Sequence, residues 1–210
     1  MISGYAQIIT CPHCGAKKKV QGLIPPNTYG QIVWSDNKST SPTQPRVSFI
    51  QECPLCGTFF LMSRQNKKEY DKDSYWENGE LSYSQLKKAW KQLSSIPDLA
   101  ENEILGSLIM QVWAFNDEYT RRTLKDISEE EHNYIISIVK QILELDNIND
   151  LLRAELLREI GQFDEAIEIL EAYPIDNEFL RALKKKYRES AKTHNTRPFI
   201  IIGKGAFTRT

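Results

Sequence analysis

Four cysteines stand in two matching settings, Cys11-Pro12-His13-Cys14-Gly15 and Cys53-Pro54-Leu55-Cys56-Gly57. Each setting reads C-P-x-C-G, and the chain holds no further cysteine. A C-x-x-C pair on a tight turn lets two thiolates converge on one ion. Two such turns complete a tetrahedron of sulfur, the ligand set of structural zinc. The proline after each first cysteine restricts φ at the start of the turn, and the glycine after each second cysteine relieves backbone crowding. The predicted metal ligands are therefore Cys11, Cys14, Cys53 and Cys56, and the predicted cofactor is one structural zinc ion. Four thiolates leave no open coordination position, so a hydrolytic role is not expected. Iron in the same four-thiolate setting is chemically allowed. Two disulfides would need an oxidising compartment, and thioredoxin-like chemistry suits a single C-x-x-C better than two matched ones. His13 is a competing ligand inside the first turn, but four sulfurs suffice and it reads as a surface residue.

The elements that must position these sulfurs read as β structure over residues 1–66. Lys17 to Val20 and Gln31 to Trp34 read as strands, as do Arg46 to Ile50 and Thr58 to Leu61. Pro25-Pro26-Asn27 marks a turn, and Ser35 to Pro45, rich in Ser, Thr, Pro, Asn and Asp, reads as a loop. Knuckle, strands, knuckle and strand in that order make a zinc ribbon with an enlarged insertion. Residues 67–81 are polar and read as a linker.

Helical periodicity begins near residue 82 and defines a second domain over 82–196. Leu86, Ala89, Trp90 and Leu93 recur at helical spacing. A broad apolar stripe runs from Ile104 to Phe115, and a double stripe runs from Tyr134 to Leu143. Asp98 with Glu101, and Ser128 with Glu131, have the spacing of capping boxes. Leu152, Ala154, Leu156 and Leu157 lie on a helix that Gly161 breaks. A second helix opens at Gln162-Phe163-Asp164-Glu165-Ala166 and runs to Tyr173, where Pro174 ends it. This pair resembles a tetratricopeptide repeat, with Ala154 and Ala166 where that repeat places small residues. It covers one repeat, and a helical hairpin in a bundle is the plainer reading. A last helix carries Lys184-Lys185-Lys186 and Arg188, a run that usually forms a solvated face. Residues 197–210 form a tail whose Phe199 to Gly203 could add a strand to the ribbon or to a partner, or fold over the helices. The fold class expected is α+β.

The order of features is similar to an uncharacterised family of bacterial proteins with an N-terminal zinc ribbon and a C-terminal TPR-like region. The resemblance rests on the two C-P-x-C-G knuckles and on Asn27-Thr28-Tyr29-Gly30 followed by Trp34-Ser35-Asp36. It rests also on Trp113-Ala114-Phe115-Asn116-Asp117 near Arg121, and on the segment from Ala154 to Ala166. It implies the same architecture and no particular activity. Trp34-Ser35-Asp36 and Asn116-Asp117 have a structural reading too, because an Asp at a turn commonly accepts from backbone amides.

Composition narrows the function classes. The 210 residues carry a net charge of −1, so the whole molecule exerts no global pull on nucleic acid or membrane. No apolar run approaches the roughly 18 residues of a spanning helix. The first ten residues lack a basic start and a long apolar core, so a reduced, cytoplasmic location is expected. Histidine occurs only at 13, 132 and 194, and no G-x-S-x-G, P-loop or G-x-G-x-x-G occurs. No catalytic residues are assigned. The leading expectation is a non-catalytic adaptor with a protein or peptide partner. The second is nucleic-acid binding by Lys17, Lys18, Lys19 and Arg46, since eight cations face two carboxylates through residue 68.

Overall fold

Each C-P-x-C-G segment is the turn of a β-hairpin. The computed structural model describes residues 6–21, 30–41, 48–65, 70–71, 80–121, 126–174 and 177–202. Strands β1 (Ala6–Thr10) and β2 (Lys17–Gln21) pair antiparallel, from Ala6 opposite Gln21 to Thr10 opposite Lys17, around the first knuckle. Between the knuckles come β3 (Ile32–Trp34) and β4 (Ser39–Thr40), which pair with each other. The second knuckle joins β5 (Ile50–Glu52) to β6 (Phe59–Leu61), with Glu52 opposite Phe59. Met62–Arg64 forms a 3-10 turn, and β7 (Tyr70–Asp71) adds to the free edge of β1. Six α-helices follow among the described residues: α1 (Tyr83–Leu93), α2 (Glu101–Phe115), α3 (Glu129–Leu143), α4 (Asp150–Glu159), α5 (Phe163–Ala172) and α6 (Glu178–Lys192). Strand β8 (Ile200–Ile202) closes the described chain. The α+β class is as the sequence predicts.

The chain packs as two units, Met1–Gly30 with Ser41–Ser107, and Gln31–Thr40 with Leu108–Thr210. In the first, Ile9, Cys11, Cys53, Phe60 and Met62 form one buried cluster, so two of the four sulfurs are part of the ribbon's core. Helix α1 begins at a full capping box between Ser82 and Gln85. It buries Leu86, Ala89 and Leu93, spaced by three and four, on one face. Its Gln92 amide meets the backbone of Phe59 twice, accepting from Phe59 N at 3.1 Å and donating to Phe59 O at 3.2 Å. A primary amide carries both donor and acceptor groups, so it can meet the N–H and the C=O that a residue on a strand edge leaves unpaired.

The start of α2 differs from the expected Asp98–Glu101 capping box. The helix begins at Glu101, and Asp98 adopts a left-handed backbone with φ 62°. The reciprocal half of a box forms two residues later instead, with Ala100 N donating to Glu103 Oε2 at 3.2 Å. Glu103 is fixed there by Arg64, whose Nε donates to Oε1 and Oε2 at 3.1 and 3.0 Å. Ser128 does cap α3 as expected, accepting from Glu131 N at 3.2 Å.

In the second unit, β8 pairs with β3, giving the order β4-β3-β8. Residues 200–202 of the tail thus extend the strand pair of the second unit. The expected loop from Ser35 to Pro45 contains β4, reached by a tight turn in which Asn37 takes φ 62°; its residues 42–45 lie outside the described residues. Helices α4 and α5 are joined at Gly161, whose φ is +82°. Gln162 N donates to Leu157 O at 2.9 Å and Gly161 N to Arg158 O at 3.1 Å, the paired bonds of a Schellman motif. Ala154 and Ala166 are fully buried between these helices and their neighbours. Leu170, Leu183, Tyr187 and Ile201 complete the core, with Phe199 edge-on to Tyr187 at 5.1 Å.

Candidate metal centre and a buried ionic cluster

The two knuckles share one backbone design. Cys11 N donates to Ala16 O at 2.8 Å and Gly15 N to Cys11 O at 3.0 Å; Cys53 N donates to Thr58 O and Gly57 N to Cys53 O, both at 2.9 Å. Gly15 and Gly57 take φ +73° and +68°, the left-handed region where a Cβ is costly. These turns direct the four sulfurs to one point. All four Sγ atoms lie within 4.8 Å of one another. Cys11 and Cys56 are 3.7 Å apart and Cys14 and Cys53 are 3.6 Å apart, each contact crossing between knuckles. A tetrahedral zinc centre with Zn–S of about 2.3 Å has sulfur edges of about 3.8 Å. The sulfur spacing fits such an ion, and these cysteines are positioned to bind a metal.

The thiols do not ionise alike. The Thr58 hydroxyl, 3.2 Å from Cys56 Sγ, and the Thr58 amide hold Cys56 down at about 5. The Ala16 amide lowers Cys14, but the neighbouring cysteine sulfurs and its desolvation outweigh that and push it up to about 12. A divalent cation among four sulfurs reverses that balance by favouring every thiolate, so binding releases protons. Cys11 and Cys53 are buried and Cys14 and Cys56 exposed, so the site has one protected side. His13 is exposed on the turn, as expected of a surface residue.

The basic residues counted on the N-terminal side are described only in part. Lys17 is exposed at the start of β2. Lys18 and Lys19 continue β2 with side chains outside the described residues, as is all of Arg46. Lys38 is buried and pairs with Asp117, while Arg64 is bound to Glu103. Among the described residues, Lys38 and Arg64 are therefore committed to carboxylates.

The second unit contains an ionic cluster at the turn between β3 and β4. Asp36 is 0% exposed and accepts four hydrogen bonds. Its Oδ2 takes Arg121 Nη2 at 2.6 Å and Asn116 Nδ2 at 3.0 Å; its Oδ1 takes Arg121 Nη1 at 3.3 Å and Lys38 N at 3.2 Å. The bond from Lys38 N is the backbone capping expected of a turn Asp. The other three reach residues at the end of α2. There the chain forms a π-helical segment, Asn116–Thr120, closed by Arg121 N donating to Asn116 O at 2.6 Å. The extra residue per turn brings Asn116, Thr120 and Arg121 to one buried side. Asp117 is no amide cap: its Oδ1 accepts from Arg121 Nε at 2.6 Å and its other oxygen pairs with Lys38. Trp34 lies 4.5 Å from the Arg121 guanidinium carbon, and Trp113 Nε1 donates to Asp36 O at 2.8 Å.

Helix α4 supplies the other half. Arg158 forms a bidentate pair with Glu155, Nε to Oε2 at 2.8 Å and Nη2 to Oε1 at 2.6 Å, and donates to the carbonyls of Asn195 and Arg197. Glu159 accepts from Asn116 Nδ2 at 3.0 Å through Oε2, and its buried Oε1 has no partner. Burial, then the charges of Glu155 and Asp36, push the Glu159 carboxyl well above its ordinary value, which favours its protonated form. Tyr187 OH donates to Ser35 O at 2.7 Å and ties α6 to the same turn.

Sequence reasoning singled out Asp36, Asn116 and Arg121 as parts of a pattern but assigned them no common site. It held Glu155, Arg158 and Glu159 only within the Ala154 to Ala166 segment and gave them no role. The available signal was the opposite-charge pair Glu155 and Arg158 at i, i+3, which can enter a core already neutralised. Compared with known proteins, the chain matches no family model, no curated protein and no solved structure.

Proposed function

We propose that this protein is a zinc-binding, non-catalytic interaction protein: a ribbon held by zinc on Cys11, Cys14, Cys53 and Cys56, and a TPR-like helical region that takes a protein or peptide partner. The observation that carries the zinc assignment is the crossed sulfur spacing of 3.6 and 3.7 Å, which suits one tetrahedral ion. Once bound, zinc crosslinks two hairpins that are only five and three residues long per strand, and such small β modules need a staple. The small buried residues Ala154 and Ala166 support the helix-pair reading.

The test measures metal in the purified chain by mass spectrometry and repeats partner capture after chelation. Zinc at about one per chain is expected, with capture that fails once zinc is removed. Absence of any metal, or captured partners that are unchanged by chelation, overturns the reading. Nucleic-acid binding through Lys17, Lys18, Lys19 and Arg46 is the second reading; exposed Lys17 beside the first knuckle favours it.

A further inference from the structure

Helix α6 divides its side chains by polarity. Leu183, Tyr187 and Ala191, spaced by four, are buried in the second unit. Arg181, Lys184, Lys185, Arg188 and Lys192 line one surface depression, together with Glu171 of α5 and Glu189. Five cations against two carboxylates leave a surplus of three, on a chain whose net charge is −1.

The cations are not equally committed. Lys184 Nζ donates to the last carbonyls of α5, Glu171 O at 3.1 Å and Tyr173 O at 3.3 Å. Arg188 Nε lies 3.1 Å from Glu171 Oε1. These two are held in place by α5, which lowers the ordering cost of any ligand they meet. Lys185 is 77% exposed and only loosely near Glu189, at 3.9 Å. Arg181 and Lys192 are exposed and make no ion pair among the described residues.

From Arg181 to Lys192 the helix rises about 16 Å, at ~1.5 Å per residue. One strand of a nucleic-acid duplex carries a phosphate every ~3.4 Å of axis, or about five over that length. The five cations cover that extent, and the three not held by α5, Arg181, Lys185 and Lys192, are spread along it. Glu189, with 63% of its side chain exposed, can rotate into solvent away from a phosphate. An acidic peptide would meet the same charges, but the length match to a regular phosphate array favours nucleic acid.

We propose that the α5–α6 depression binds a nucleic-acid backbone, with Arg181, Lys185 and Lys192 as phosphate contacts and Lys184 and Arg188 preset by α5. The depression belongs to the second unit, whereas the cysteine quartet and Lys17 to Lys19 belong to the first.

The test is fluorescence anisotropy of the full zinc-loaded chain with labelled 20-nucleotide single strands and duplexes, titrated between 50 and 200 mM salt (working conditions of about the range over which phosphate contacts are lost). Three variants are compared: Arg181→Gln/Lys185→Gln/Lys192→Gln, Lys17→Gln/Lys18→Gln/Lys19→Gln, and a charge-matched control on exposed lysines, Lys88→Gln/Lys91→Gln/Lys140→Gln. Circular dichroism checks that each folds. Three phosphate contacts predict a log–log salt slope of about −2 to −3. The α6 variant should lose about tenfold or more in affinity and most of that slope, while the control stays within about twofold. The proposal fails if no binding occurs at low salt, or if the α6 variant binds as tightly as the parent. It also fails if binding is lost only in the Lys17 variant, or if a polyglutamate peptide competes better than unlabelled nucleic acid.

Discussion

Arg121 donates through Nη2 to Asp36 Oδ2 at 2.6 Å, joining two side chains 85 residues apart whose exposures are 3% and 0%. The turn between β3 and β4 is thereby fixed to the π-helical end of α2. Removing one partner of a buried pair leaves the other charge without compensation. Arg121→Met should cost ~3–5 kcal/mol in urea unfolding followed by tryptophan fluorescence. Asp36→Asn combined with Arg121→Met should cost less than the two single changes added together. A loss below about 1 kcal/mol in the single variant would show that the pair is not a clamp.

Glu159 and Glu103 should give opposite pH limbs. The Glu159 carboxyl faces Glu155 and Asp36, with Arg158 and Asn116 on the favourable side, and burial raises it well above the ordinary 4.5. The folded protein therefore holds a proton that the unfolded chain has released. Stability is fully present below about 4.5 and falls as pH rises toward the folded value. Glu159→Gln should flatten that fall and raise the urea midpoint at pH 8 relative to the parent. An unchanged pH slope would rule out a buried neutral acid.

Glu103 behaves in the reverse sense. Hydrogen bonds from the Arg64 guanidinium hold its carboxyl down at about 2, against an ordinary 4.5. Its contribution is present above 4.5 and lost as pH falls toward 2. Glu103→Gln should remove this acid limb, read as hydrogen-exchange protection in α1 and the start of α2 between pH 5 and 3. Equal loss of protection in parent and variant would count against it.

Metal removal separates ligands from bystanders. Cys53→Ser should abolish zinc retention and protection in β5 and β6, because Cys53 is both a ligand candidate and part of the ribbon's buried cluster. His13→Ala should leave zinc stoichiometry unchanged, since four sulfurs already converge. Loss of zinc in the His13 variant would mean that the ligand set is wrong.

Two helix ends carry left-handed residues of different kinds. Gly161 ends α4 at φ +82°, and His194 ends α6 at φ 52° with His194 N donating to Ala191 O and Asn195 N to Ser190 O. Gly161→Ala should cost ~1–2 kcal/mol, the price of Cβ in that region, and His194→Gly should stabilise by up to about the same amount. Thermal melts read both, and a stabilising Gly161→Ala would contradict the Schellman geometry.

The parts legible in the sequence share one physical property: their determinants lie within a turn or two of chain. The C-P-x-C-G segments specify their own left-handed glycines and thiolate geometry, so the sulfur quartet was readable before any coordinates. Apolar spacing of three and four marked the helices, while Ser128 and Gly161 marked ends of two of them. The two-residue strands β4 and β7 escaped because alternation cannot register over two positions. Tertiary structure alone decided that Asp36, Asn116, Arg121 and Glu159 share one buried site. Whether a carboxylate is a solvated side chain, an ion-pair partner or a neutral acid depends on desolvation and on partners as far as 43 and 85 residues away. Tertiary structure also decided that residues 31–40, lying between the two knuckles in sequence, pack with the second unit. Strand pairing with Ile200–Ile202, burial of Ser35 and Asp36, and the bond from Tyr187 place them there. None of these contacts leaves a local trace in the chain.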